Sequence, residues 1–175
     1  MTEDQFLDNL GKIEGLKYSE PPDVDQPTAS YGITLPVLHD YRGHDCTVAD
    51  LKVLSVQEAR EIARWEMRRA LAVYRFSELA DEHLRVQLVD FAYNSGPERA
   101  IRWLQRALGI PLAQATNHLT DELINLVNVT SGVVVNNALV AARLRMLDDV
   151  TDTGVVNKRY EEGLASRALS FGVFD

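Results

Sequence analysis

Several features that mark particular classes of protein are scarce in this sequence. It holds one cysteine, Cys46, among 175 residues, which excludes an intramolecular disulfide framework. It has no long apolar run, and its first ten residues, M-T-E-D-Q-F-L-D-N-L, are acidic. That start is typical neither of a signal peptide nor of a membrane anchor, so no membrane insertion is expected.

Basic residues are also in short supply. The chain has 18 Lys and Arg against 26 Asp and Glu, a net charge of -8. The imbalance is uneven, because residues 1–61 carry a net charge of -7, residues 62–106 carry +2 and residues 107–175 carry -3. An acidic chain of this kind is not expected to bind nucleic acid or an anionic membrane surface.

What the sequence does contain is typical of one helical domain. Hydrophobic content is 46% and charged content 25%, as in ordinary globular proteins. Apolar residues from Val56 to Tyr74 recur with the 3.6-residue period of an amphipathic helix. Most of the chain after Thr34 has the same character. We predict a mainly α single domain over 1–175, with a catalytic stretch at 1–43 and a helical body at 44–175.

The stretch from Glu14 to Thr34 is where chemistry is expected. Helical spacing leads up to Glu14, with Phe6, Leu10 and Ile13 on one face, and a loop rich in proline and acid follows. We predict a small irregular or β-containing lobe near residues 15–34. Glu14 and Asp23 would then stand on either side of a substrate, the arrangement that glycoside cleavage needs. The competing interpretation is a surface acid at a helix end and an aspartate that forms a turn.

Two other groups of residues are interpreted structurally. Potential metal ligands lie within eight positions: His39, Asp40, His44, Asp45 and Cys46. Their spacing matches no metal-ligand pattern, so we expect a helix end and a loop there, and no metal. Trp65 and Trp103 fall within predicted helices and are expected in the core. The arginines of 60–69 and 99–106 are expected on solvated helix faces.

Two separated blocks carry a resemblance to a known family. The first consists of Glu14-Gly15, Pro21, Asp23, Thr28 and Tyr31-Gly32-Ile33-Thr34, and the second of Asp90–Pro97, Ala100 and Trp103–Gly109. Together they resemble glycoside hydrolase family 108, the lysozyme-like muramidases of phages and bacteria. The spacing of Glu14, Asp23 and Thr28 is also similar to that of the phage-type lysozymes of glycoside hydrolase family 24.

This resemblance implies a lysozyme-like fold and a peptidoglycan hydrolase. The substrate would be the β-1,4 bond between N-acetylmuramic acid and N-acetylglucosamine. Glu14 would be the general acid, Asp23 would orient water or stabilise the developing cation, and Thr28 would hold the attacking water. Tyr31 and Asn94 would line the cleft. Such two-carboxylate chemistry needs neither a metal nor a cofactor.

The sequence departs from the family pattern in the same loop. Asp25-Gln26 stands where the family has Gly-Gly, and Leu16 replaces a second glycine after Glu14. Lost glycines restrict the backbone, so Asp25 is an alternative to Asp23 as the second carboxylate. These departures keep open a second interpretation, a non-catalytic protein that binds peptidoglycan or assists cell-wall assembly on the same scaffold.

The biological setting follows from the same resemblance. A monomer made in the bacterial cytoplasm without a signal peptide, as in an endolysin, would act on glycan strands of the cell wall. It would reach them through a holin or a dedicated secretion system. The isoelectric point of about 5.0 is unfavourable for this role, because peptidoglycan is itself anionic.

Overall fold

The computed structural model describes residues 3–20, 27–152 and 158–173. Within these ranges it contains nine α-helices and no strand, which confirms the predicted mainly α class. The helices are α1 Glu3–Glu14, α2 Leu35–Arg42, α3 Val48–Lys52, α4 Val56–Val73, α5 Glu82–Ser95, α6 Pro97–Ala107, α7 Asp121–Val129, α8 Gly132–Asp152 and α9 Lys158–Leu169. No single described helix is long and apolar enough to cross a bilayer. One bent pair among them, α7 with residues Gly132–Leu147 of α8, reaches the required length and composition when the two helices are taken together.

The chain divides into two compact units. The first covers residues 1–69 and the second residues 70–175, and the division falls inside α4. The first unit holds α1 to α3 with most of α4, and the second holds α5 to α9. The single domain over 1–175 that the sequence predicts, with its stretches 1–43 and 44–175, stays a prediction.

Local sequence signals fix several helix ends. Helix α2 begins after Thr34 and ends at Gly43, whose left-handed backbone (φ 70°) an L side chain rarely adopts. Helix α3 has a complete capping box, in which the side chains of Thr47 and Asp50 each bond the other's backbone N–H. Helix α6 begins at Pro97, which has no N–H to leave unpaired in the first turn.

The buried face of α1 differs from the predicted one. Phe6, Leu7, Leu10 and Gly11 are buried, whereas Ile13 is 52% exposed. Each helical residue turns by about 100°, so positions 7, 11 and 14 form one stripe and position 13 lies beside it. Glu14 therefore continues the buried stripe of α1.

A buried charge cluster lies in the core of the second unit. Asp90 of α5 is 2% exposed and lies among apolar side chains of the same helix. Its Oδ2 accepts a hydrogen bond from Arg143 Nη2 of α8 at 2.7 Å, and its Oδ1 accepts one from Arg167 Nε of α9 at 2.7 Å. A buried carboxylate needs partners of this kind, and these tie α5 to α8 and α9.

Candidate functional site

Glu14 is the last residue of α1, and a later turn of the chain, at Ser30–Gly32, lies against this end of the helix. Glu14 is half-buried. Gly15 reverses the chain with φ 85°, and its carbonyl accepts a hydrogen bond from the N–H of Tyr31 at 2.9 Å. That bond joins the end of α1 to a short 3₁₀ turn at Ser30–Gly32.

Two glycines let this turn approach α1 closely. A Cβ placed on Gly32 would lie 3.2 Å from Oε2 of Glu14 and 3.3 Å from its Cγ. A Cβ placed on Gly11 would lie 2.8 Å from Cε1 of Tyr31, a distance that real Cβ atoms do not tolerate. The Glu14 carboxyl group therefore rests on the backbone of Gly32, and the Tyr31 ring rests on that of Gly11.

Tyr31 is held in an unfavourable backbone conformation. It is 4% exposed, and its φ of 63° lies in the left-handed region that favours glycine. That conformation costs an L residue about 1–2 kcal/mol, so the surroundings must hold it. They do so through the contact with Gly11 and through a hydrogen bond of 3.3 Å that Arg60 Nη1 donates to the Tyr31 hydroxyl. The predicted role of Tyr31 in substrate binding stays a prediction.

Arginines of α4 pair with acids of α1. Arg60 Nη1 donates to Asp8 Oδ1 at 2.7 Å, and Arg64 donates to Glu3 at 2.7 Å and to Asp4 at 2.8 Å. The sequence predicts a solvated face here; the Arg60 and Arg64 side chains are 27% and 29% exposed, and they are also ion-paired with α1. Their i, i+4 spacing puts them on one stripe of α4, but nothing in the sequence names α1 as the partner.

The loop between Glu14 and Thr34 closes on itself through Thr28. Ser19 and Thr28 exchange two backbone hydrogen bonds of 2.8 and 2.9 Å, and Thr28 also forms an isolated antiparallel bridge with Thr34. The irregular lobe predicted near 15–34 thus has isolated bridges, with no regular strand among its described residues. The chain from Ser19 to Thr28 carries Asp23 and Asp25, which lie outside the described residues. Their pairing with Glu14, and the role of Thr28, stay predictions.

The histidine and cysteine group is engaged locally. His39 Nε2 lies 2.9 Å from the backbone oxygen of Cys46, and His44 Nδ1 lies 2.9 Å from that of Asp45. Cys46 is buried. Among the described residues, no three His, Cys, Asp or Glu side chains come together in a way that would hold a metal ion.

Asn94 belongs to the second unit and lies in the last turn of α5. It is exposed, and its Nδ2 donates a hydrogen bond of 2.7 Å to the carbonyl of Asp90. It lines a pocket of about 110 Å³ together with Arg143. Whether Asn94 shares a cleft with Tyr31 stays a prediction.

Neither tryptophan is a core residue, contrary to expectation. Trp65 is half-buried, packs edge-on against Tyr41 at 5.5 Å between ring centres, and carries the Arg69 guanidinium 4.8 Å above its ring. Trp103 is half-buried and lines a pocket of about 550 Å³ at the start of α6. Periodicity placed both tryptophans on helices but did not show how far each lies from the apolar face.

Comparisons with known proteins establish the fold class. No protein-family model and no curated protein matches the sequence. The all-α fold is shared with a solved bacterial protein at a TM-score of 0.68, over 99% of this chain and 99% of that one. That protein is SagA of Brucella abortus, which is 24% identical in sequence. At that identity the similarity extends to the fold alone.

Proposed function

We propose that this protein hydrolyses peptidoglycan, cleaving the β-1,4 bond between N-acetylmuramic acid and N-acetylglucosamine, with Glu14 as the general acid. The observation that carries the proposal is the position of Glu14. It ends a helix on the buried stripe of that helix, and its carboxyl group lies against the Tyr31-Gly32 turn. The same residues belong to the first block that resembles glycoside hydrolase family 108.

The chemistry asks for an acid whose proton is aimed at the leaving oxygen of the sugar. A carboxyl group on the backbone of a glycine and beside a fixed turn has few orientations open to it, and such restriction favours proton transfer in a set direction. The second carboxylate, from Asp23 or Asp25, would activate water or stabilise the oxocarbenium-like transition state. Thr28, next to that segment, would hold the water.

The test is digestion of purified sacculi by the wild type and by Glu14→Gln. Loss of a general acid should lower the rate by about 10²–10⁴-fold. The products should be reduced with borohydride before sugar analysis, because reduced N-acetylmuramic acid identifies a muramidase and reduced N-acetylglucosamine a different glycosidase. Glu20→Gln is the matched control, since Glu20 is an exposed acid of the same loop.

The outcomes separate the alternatives. An unchanged rate in Glu14→Gln would remove Glu14 from the mechanism. No release of sugar by the wild type, together with its sedimentation with sacculi, would favour the non-catalytic peptidoglycan-binding protein. If the wild type is active, Asp23→Asn and Asp25→Asn compared side by side identify the second carboxylate as the one whose loss costs more.

A further inference from the structure

Two pockets adjoin at the break between α5 and α6. The larger, of about 550 Å³, lies at the start of α6, and the smaller, of about 110 Å³, lies between α5, α8 and α9. Ser95 and Arg99 line both pockets. We call these two pockets together, from Trp103 past Arg99 to Arg143, the α5–α6 groove. All of it belongs to the second unit.

Trp103 gives the groove an apolar wall with a polar edge. The side chain is half-buried, and its indole N–H donates no hydrogen bond within the ranges that the structure describes. A tryptophan beside water usually satisfies this N–H through a ligand or solvent, and its flat face packs against the apolar C–H face of a sugar ring. The wall therefore suits a saccharide.

The rest of the groove is basic. Arg99 is exposed, and among the described residues it has no ion-pair partner. Arg102 Nη2 donates a hydrogen bond of 3.0 Å to the carbonyl of Leu112, and among the described residues Arg102 forms no ion pair. Glu98 is the one acid among the described lining residues, and it accepts a hydrogen bond from Asn117 at 3.1 Å.

Arg143 supplies a fixed cation at the inner end. Its side chain is 6% exposed, Nη2 is bound by Asp90, and Nη1 is buried without a hydrogen-bond partner in the described part of the chain. The rings of Phe91 and Phe171 lie 4.8 and 5.6 Å from its guanidinium carbon and hold it in place. A buried guanidinium with an unused N–H favours a carboxylate, which can accept from it with charge assistance.

We propose that the α5–α6 groove binds an acidic saccharide, with a sugar ring against Trp103 and a carboxylate between Arg99 and Arg143. The identity of the saccharide rests on the proposed function. In peptidoglycan the carboxylate comes either from the lactyl group of N-acetylmuramic acid or from the attached peptide. This locally basic groove would let an acidic protein approach an anionic polymer, because charges within a Debye length of about 10 Å outweigh distant ones.

The experiment uses Trp103 itself as the reporter. In a Trp65→Phe background Trp103 is the sole tryptophan, and its fluorescence is followed during titration with N-acetylmuramic acid, muramyl dipeptide and the neutral trimer of N-acetylglucosamine. A saturable change with an acidic ligand, below about 10 mM, is expected. A change with N-acetylmuramic acid identifies the lactyl carboxylate, and a change with muramyl dipeptide alone identifies the peptide carboxylate.

Two variants of α6 test the role of charge. Arg99→Ala should weaken binding of the acidic ligand about tenfold, whereas Arg106→Ala, which removes an exposed arginine of the same helix outside the groove, should leave it unchanged. Equal binding of the neutral trimer, equal effects of the two variants, or no saturable change at all would each overturn the proposal.

Failure of this proposal differs from failure of the proposed function. Binding that depends on Arg99 in a protein that releases no sugar from sacculi supports the groove and refutes the hydrolase. If hydrolysis depends on Glu14 but the fluorescence of Trp103 does not respond to the ligands, the hydrolase is supported and the groove is refuted.

Discussion

Two carboxylates, Asp90 of the second unit and Glu14 of the first, are held in different ways. Asp90 has both oxygens bonded by buried guanidinium groups at 2.7 Å. Glu14 is half-buried, and its carboxyl group is confined by backbone, with Gly32 against its side chain and Gly15 turning the chain behind it.

This difference matches the structural role of Asp90 and the catalytic role proposed for Glu14. Guanidinium groups on both sides of a carboxylate use its lone pairs and join the helices that carry them. The general acid proposed at Glu14 must instead be able to give a proton to a substrate. The same carboxyl-to-amide change should therefore lower mainly stability at Asp90 and mainly activity at Glu14.

The largest effect is expected from Asp90→Asn. It removes the charge between Arg143 and Arg167 and leaves buried guanidinium groups poorly paired, which should lower the free energy of unfolding by about 3–5 kcal/mol. Glu14→Gln should change it by less than about 1 kcal/mol. Urea denaturation followed by circular dichroism measures both. Similar losses for the two variants would end the distinction between the two acids.

Next in size is a pair of glycine variants that share one backbone conformation. Gly32 and Gly43 have φ values of 71° and 70°, but an added Cβ meets Glu14 only at Gly32 and meets nothing within 4 Å at Gly43. Each Gly→Ala change should cost about 1–2 kcal/mol through the backbone. Only Gly32→Ala should also displace the Glu14 carboxyl and slow sacculus digestion, by about tenfold or more. Equal activity of the two variants would contradict the role of the Gly32 contact.

Much of the fold was predictable because helix ends are set by neighbouring residues. Thr34 and Gly43 bound α2, Thr47 with Asp50 starts α3, and Pro97 starts α6, as their sequence signals indicate. Each signal acts within one helical turn, so it needs no knowledge of tertiary structure. The position of Glu14 at the end of α1 follows in the same way.

The parts that were not predictable depend on partners distant in sequence. Arg143 meets Asp90 from 53 positions away, and Arg60 meets Tyr31 from 29 positions away. Helical periodicity states which residues share a face, but it does not state what that face packs against. For this reason the pairing of the α4 arginines, the exposure of Ile13 and the groove at Trp103 emerge only from the structure.

A smaller effect is expected from Tyr31→Phe. The change removes the hydroxyl that accepts from Arg60 and should cost about 1 kcal/mol, since the ring still packs on Gly11. Tyr18→Phe is the matched control, because the Tyr18 hydroxyl donates to Glu20 at an exposed site. If the turn positions Glu14, Tyr31→Phe should slow digestion of sacculi and Tyr18→Phe should not. An unchanged rate would show that the Arg60 bond serves stability alone.

The smallest effect on stability is expected at Glu66. Its carboxyl group is mainly buried, and it is held differently from those of Asp90 and Glu14. Burial raises the pKa of Glu66 above its ordinary value of 4.5, although the nearby charge of Arg69 opposes the shift. Its Oε2 is buried without a hydrogen-bond partner in the described part of the chain. The folded state therefore binds the proton of Glu66 more tightly than the unfolded state does, so this group's contribution falls as pH rises through the raised pKa.

Glu66→Gln removes that penalty and should stabilise the protein at pH 7 by on the order of 0.5 kcal/mol. Below about pH 4.5 the gain should vanish, because the wild-type carboxyl is then protonated in both states. Urea denaturation at pH 7 and pH 4 measures the difference, with Glu61→Gln on the exposed side of α4 as the control. A gain that persists at pH 4 would mean that packing rather than charge explains it. The cost at Glu66 could then not be attributed to burying a charge without the cationic partners that Asp90 has.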